Sequence, residues 1–484
     1  MSQDTPTVGT ALSANTAVKK RTVTAWAFWD WGTQPFNTVI TTFVFSVYLT
    51  SAYFQVGGDK NGPSLALSVA TLIGGLVIAL AAPVLGQTAD RSGTTVRNLR
   101  WMTWALGLIS MALYFVRPEP SFLWLGLILL VVGTVISEIA SVNYNALIDR
   151  VAAPSNVGKV SGFGWGMGYL GGIIVLLVLL VLFIQPSDAL NVWHLDQPTG
   201  IRVSMIVCGI WTLAFTIPIF VALRDRKPTG TATARLGVIG SYKALGRSIM
   251  NLWRTQRDTA FFLISSAIFR DGLAGVFTFG AVIASTAYGM SATTVIIFGA
   301  AANLIAGVVT MLFGLLDDKI GPKRVIVICL CVLVAGTVLA FVLHDPAYSH
   351  QPRMADPNNP ATLIPDPDYD PALSARGQTI FWVLGLIFSS MVGPAQAASR
   401  SFLARVIPEG RTGEVFGLYT TTGRVISFLS PALFGAMVWV GAQVTGTNAT
   451  GHWGLLGIGA VLLAGLIALL PVKTAQDSRP MTLG

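Results

Sequence analysis

Charge is what this sequence of 484 residues has least of: only 11% of its side chains are Asp, Glu, Lys or Arg, against 53% hydrophobic, and its mean hydropathy is +0.66. A soluble core of this size cannot hide that much apolar side chain, so the composition excludes an ordinary water-soluble domain and asks for lipid as solvent. Cysteine is nearly absent. Cys208, Cys329 and Cys331 all fall in apolar runs, which leaves no basis for a disulfide framework or a four-ligand metal site and makes them small core residues. The four histidines, His194, His344, His350 and His452, fall in loops without metal-ligand spacing, so neither a metal nor a cofactor is expected. No G-x-x-x-x-G-K-[ST] loop occurs, which argues against an ATP-driven motor in this chain. Gly166-Met-Gly168-Tyr-Leu-Gly171 fits the dinucleotide pattern, but no strand precedes it, and small-residue helix packing explains it better. The first long apolar run, 25–54, is too long and too aromatic for a secretory signal and is expected to stay as an anchor.

Long apolar runs are what the sequence has in abundance. Twelve reach the roughly 20 residues a membrane helix needs, near 25–54, 64–85, 101–116, 121–147, 160–184, 201–223, 259–288, 291–313, 325–343, 379–398, 415–440 and 453–472. An even count puts both termini on one side, and 24 of the 31 Lys and Arg residues fall in the tails and loops of that side, against five in the opposite loops. Both termini are therefore expected in the cytoplasm of an inner (cell) membrane protein. The net charge of +9 follows from this bias; it is spread over seven segments rather than gathered in a patch, so nucleic acid is not an expected partner.

The expected organisation is a tail over 1–23, a six-helix half over 24–223, a basic cytoplasmic loop over 224–258, a second six-helix half over 259–472 and a tail over 473–484. Within the central loop, Tyr242 to Trp253 reads as an amphipathic stretch suited to the anionic cytoplasmic leaflet. The Pro- and Asp-rich segment 344–378 is expected to be an irregular external loop. The external sequon Asn448-Ala449-Thr450 carries no argument.

The two halves repeat each other. Gly86-QTA-Asp90-Arg91-S-Gly93 follows the second run, and Gly314-LLD-Asp318-Lys319-I-Gly321-P-Lys323-Arg324 follows the eighth; both fit G-x-x-x-D-[RK]-x-G. A second pair follows the fourth and tenth runs: Arg150-V…Gly158-K-Val160-S-Gly162 and Arg405-V…Gly413-E-Val415-F-Gly417, with identical internal spacing. Copies are offset by 228 and 255 residues, a difference the unequal outer loops absorb. Duplicated halves of six spans are the architecture of proteins that rock around a central site.

Five ionisable residues lie inside the spans: Asp30, Glu138, Arg270, Asp271 and Arg424. Charge at membrane depth is costly and reads first as functional. Each also has a plainer reading. Asp30, about 8 Å into its span, would only cap or snorkel; Glu138 would pair with a nearby base such as Arg150; Arg424 would make an interhelical pair. Arg270 and Asp271 are neighbours pointing about 100° apart, so they do not neutralise each other across one helix face.

The loops Gly86 to Gly93 and Gly314 to Arg324 resemble the signature of the major facilitator superfamily. That resemblance implies an all-α membrane protein of twelve transmembrane helices in two pseudo-symmetric halves, working by alternating access. It also implies that Asp90 and Asp318, with Arg91, Lys319 and the glycines, latch the cytoplasmic side closed; the plainer reading is a charged turn that sets topology. The first copy departs from the pattern after Gly93, where Thr94 and Thr95 replace basic residues, which weakens the expected latch there. In that superfamily the first, fourth, seventh and tenth helices line the cavity, which implies a pathway role for Asp30, Glu138, Arg270, Asp271 and Gln396.

Three longer segments carry a narrower resemblance: AWAFWDWGTQPFNTVITTFVF, YNALIDRVAAPSNVGKVSGFGWGMGYLGG and QAASRSFLARVIPEGRTGEVFGLYTTTGRVISFLSP. They look like the vacuole-effluxer-like ("unknown major facilitator") family, whose fungal relatives are autophagy-related vacuolar amino-acid effluxers. The resemblance implies a secondary transporter of a small organic solute; acids placed near bases at membrane depth can exchange a proton as the cavity opens and closes, which makes proton coupling the expectation, and a monomer is expected. A neutral amino acid leads, its carboxylate on Arg270 or Arg424, its ammonium near Asp30 or Asp271, and Trp29, Trp31 and Phe36 as an apolar wall. Two alternatives stand beside it: efflux or flipping of a lipid-like or drug-like amphiphile, and a non-transporting receptor or channel. No enzymatic activity is expected, since no catalytic His, Ser or metal constellation lies at membrane depth.

Overall fold

The structure is a computed structural model describing residues 19–56, 62–184, 195–225, 238–350, 352–356, 359–407, 411–446 and 450–473. The sequon's Asn448 and Ala449, His194, most of both tails and 226–237 of the central loop lie outside the described residues.

The chain is built from helices. In the first half α1 (Lys20–Pro35) passes through a π-helical stretch, Phe36–Phe43, into the short α2 (Phe45–Leu49). Then come α3 (Gly62–Ser92), α4 (Thr95–Ala112), α5 (Leu123–Ala146), the single turn α6 (Ile148–Val151), α7 (Val157–Leu179) and α8 (Gln197–Ala222). Helix α9 (Val238–Thr255) lies in the central loop. The second half contains α10 (Arg257–Thr286), α11 (Ala292–Ile320), α12 (Pro322–Val342), α13 (Pro371–Val406), α14 (Thr412–Ile426), α15 (Leu429–Thr445) and α16 (Gly454–Leu469).

Among the described residues ten helices are long and apolar enough to cross a membrane. The first and third expected spans correspond to the α1–α2 run and to α4. Pro35 inside the first run removes a backbone donor, and the helix widens into π geometry just after it. The 344–378 segment is not wholly irregular, which corrects the composition-based expectation. It contains a 3-10 turn at Pro346–Ser349, an antiparallel hairpin of β1 (Arg353–Asp356) and β2 (Asn359–Pro365), and the first turns of α13. Asp370 caps that helix by accepting from the Ala372 amide at 2.8 Å, so the boundary falls at a local hydrogen bond rather than where apolarity begins.

The halves meet chiefly along two pairs of helices, α3 with α14 and α7 with α11. Glycine permits the approach. A Cβ on Gly86 would lie 2.1 Å from the Gly413 carbonyl oxygen, and one on Gly162 would lie 2.7 Å from that of Thr310. Gly166 and Gly171 of the dinucleotide-like pattern are packing glycines too, against Met311 of α11 and the Trp31 backbone of α1.

Candidate functional site: a cross-half gate and a charged layer

The repeated motifs meet across the halves. Asp90, at the end of α3, accepts from the Gly413 and Glu414 amides at 2.9 and 2.8 Å, the first turn of α14. Asp318, at the end of α11, accepts from the Gly158 and Lys159 amides at 2.8 and 2.9 Å, the first turn of α7. Each half's first motif thus caps the helix on which the other half's second motif ends, where unpaired amides and the helix dipole favour a carboxylate. Gly93 and Gly321 both take positive φ, +65° and +89°, which a turn straight into the next helix requires.

The basic residues of the motif act differently from expectation. Arg91, Lys319 and Arg324 are exposed, while the Lys323 ammonium donates to the Leu470 and Val472 carbonyls beyond α16, at 2.9 and 2.6 Å. The base that holds Asp318 is Arg405 of the second motif, 3.0 Å away and also 2.7 Å from Asp317. In the first half Ala89 occupies the position equivalent to Asp317, so that copy has one carboxylate fewer.

Deeper in the bundle lies a charged layer whose central cation the sequence reading placed in a loop. Arg400 is 3% exposed and sits within α13, because that helix runs on past its apolar stretch to Val406. Its guanidinium donates to the Ser161 hydroxyl (2.9 Å) and carbonyl (2.7 Å), to Asn145 Oδ1 (3.1 Å) and to Asp30 Oδ2 (3.5 Å). It lies 4.9 Å from the Trp26 ring, and Tyr144, stacked against Trp26 and Trp29, donates its hydroxyl to Asp30 at 2.8 Å. Asp30 of the first half thus pairs with a base of the second.

A second pair crosses the halves nearby. Glu138 of α5 accepts from Arg424 of α14, rather than pairing with Arg150. Asp271 is taken up structurally: its carboxylate accepts from the Ser430 amide at 2.6 Å, capping α15 where the eleventh span breaks. Arg270 donates to the Tyr419 carbonyl at 3.0 Å and lies 3.7 Å over that ring's centroid. Among the described residues no carboxylate lies within salt-bridge distance of it. Gln396 is half-buried one turn before Arg400. Of the expected aromatic wall, Trp29 and Phe36 are buried in packing, and Trp31 is half-buried.

Six residues beyond Arg270 along α10, about 9 Å of helix rise, an apolar cavity of about 120 Å³ begins at Val276. Phe43 of the first half and Phe277, Phe298 and Phe388 of the second line it, with Asn303 and Ser389 among its few polar groups. On the loop carrying the hairpin, the fold brings His350, Asp366 and Asp368 together, with ligand atoms within 4.8 Å of one another and His350 Nδ1 at 2.9 Å from Asp366. The linear spacing gave no sign of that cluster.

Apolar helices in two duplicated halves, reciprocal helix caps between them and a charged layer at the seam fit a multi-pass membrane transporter of the major facilitator fold. The fold matches that of the proton:xylose symporter XylE (TM-score 0.65, 14% identity, 94% of this chain and 95% of that one). It also matches a bacterial homologue of the iron transporter ferroportin in its outward-facing state (TM-score 0.61, 13% identity, 95% and 99% covered). A profile of the vacuole effluxer Atg22-like family matches residues 18–344 and 372–478, and the chain belongs to that family. Its relatives include an uncharacterized MFS-type transporter, YxiO, of Bacillus subtilis, 24% identical over 458 residues, with 94% of this chain and 95% of that protein covered. Autophagy-related protein 22 of Coccidioides immitis is 25% identical over 316 residues, covering 61% of this chain and 46% of that protein. The match thus spans about half the length of the fungal relatives.

Proposed function

We propose that this protein is a proton-coupled secondary transporter of a small organic solute bearing a carboxylate, with a neutral amino acid of apolar side chain as the leading candidate. The observation that carries this reading is Arg270, a half-buried guanidinium with no carboxylate partner among the described residues. A substrate carboxylate supplies the missing charge through paired hydrogen bonds, and the apolar cavity along α10 takes the side chain. Arg424 is the weaker candidate because Glu138 already occupies it.

Coupling rests on the cross-half pairs. If the inner side opens by separating the halves, Asp30 leaves Arg400 and Glu138 leaves Arg424, and an uncompensated charge in a site of low polarity costs several kcal/mol. A proton on the carboxylate removes that charge. Asp90 and Asp318 hold the closed inner side, and both termini lie in the cytoplasm of the cell membrane. A second reading, a larger lipid-like or drug-like amphiphile, is favoured by the aromatic lining of the cavity.

Binding of an amino-acid panel to the purified protein and to Arg270→Gln separates the two. A carboxylate site loses about 1.5–3 kcal/mol for each charged hydrogen bond removed. Unchanged binding of the identified substrate to Arg270→Gln sinks the carboxylate clamp and leaves the amphiphile reading.

A further inference from the structure

Helix α9 has no part in the gate or the charged layer, yet it has three distinct faces. Ala244, Leu245 and Leu252 are buried, and the helix packs on α3 of the first half and α10 of the second. The Tyr242 hydroxyl donates to the Leu80 carbonyl of α3 at 3.2 Å, and the Leu80 side chain is itself 63% exposed on the lipid side of the bundle. Tyr242, Ile249 and Trp253 are exposed large apolar residues; at 100° per residue they fall within an arc of about 40°. Lys243, Arg247 and Arg254, also exposed, fall within another arc of about 40°, centred about 120° further round. No Asp or Glu occurs between 238 and 257.

We infer that α9 lies in the membrane surface on the side of Asp90 and binds anionic phospholipid headgroups along Lys243, Arg247 and Arg254. Two observations choose lipid over a protein partner. The apolar stripe continues the bundle's lipid-facing surface, since Trp253 packs 5.4 Å from the exposed Phe261 of α10 and Tyr242 meets α3 beside the exposed Leu80. The charge beside that stripe is of one sign, as binding to an anionic leaflet requires. In this arrangement Tyr242, Ile249 and Trp253 enter the acyl boundary while the three bases stay at phosphate level.

The test uses the full-length protein in detergent, titrated with phosphatidylglycerol or with phosphatidylcholine of the same acyl chains while its melting temperature is followed. The expected result is a rise of several degrees specific to phosphatidylglycerol that shrinks as salt is raised to about 0.5 M, where screening is strong. Lys243→Gln/Arg247→Gln/Arg254→Gln should melt like the parent in phosphatidylcholine and lose the phosphatidylglycerol increment. An equal rise with both lipids overturns the proposal, as does an increment retained by the triple variant. So does the same rise with glycerol phosphate, which would mean a free-anion site. Should the triple variant fail to fold, lipid selectivity and salt dependence of the unaltered protein still decide.

Discussion

At the level of single residues, the membrane-depth charges divide by their partners. Asp30 and Arg400 are 370 positions apart in the chain and Glu138 and Arg424 are 286 apart, so no local pattern shows that they pair. What sequence does show is rarity: an acid or base inside an apolar span stands out, and Glu138 and Arg424 were found that way. Arg400 does not stand out in this way, because apolarity ends near 398 and the bases up to Arg411 read as a loop. The Ala- and Ser-rich stretch from Gln396 to Ser401, which carries no helix breaker, was the available signal that α13 runs on. Asp30→Asn or Glu138→Gln should reduce proton-driven accumulation in a protein that still folds, since each removes the titratable group and little volume, although Asp30→Asn also leaves the buried Arg400 cation without its carboxylate and should lower the melting temperature. Uptake against a gradient in proteoliposomes checks this; normal accumulation by both variants means neither acid carries the proton. Arg400→Gln should also lower stability, by about 3–5 kcal/mol, because it removes the buried guanidinium's hydrogen bonds to Ser161 and Asn145 and strands the half-buried Asp30 carboxylate, and a melting temperature equal to that of the parent would show Asp30 to be satisfied by Tyr144 alone.

Among the elements, the gate shows most clearly what the repeat encodes. Both copies of both motifs were legible in the sequence, because spacing survives duplication. Their crossing over was not, because a cap between helices of different halves depends on how the halves dock. Each cap is worth about 1 kcal/mol, so the latch proposed here is weak and made twice. In the double variant Asp90→Asn, Asp318→Asn, a cysteine placed at Ala397, which is 3% exposed at the seam, should react faster with a reagent supplied from the cytoplasm. An unchanged rate would leave the two aspartates with a topogenic role only. The hairpin β1–β2 marks the opposite case: Pro and Asp composition argued against order in 344–378, yet a short antiparallel pair forms between Arg353 and Pro365.

For the molecule as a whole, composition and repeat were enough to read a duplicated helical bundle in lipid, since both follow from the solvent the chain requires. The charged seam is a property of two halves packed together, and only the three-dimensional arrangement brings its residues into contact. In the function proposed above, transport turns on the two cross-half ion pairs of that seam, with Arg270 of the second half left for a substrate and an apolar cavity beyond it. The most direct test is uptake of a radiolabelled neutral amino acid such as leucine into proteoliposomes carrying the purified protein and an imposed proton gradient. The expected result is accumulation above protein-free vesicles that a protonophore collapses and that Arg270→Gln loses. Leucine and the other neutral amino acids entering no faster than in protein-free vesicles, with the gradient intact, would contradict the account.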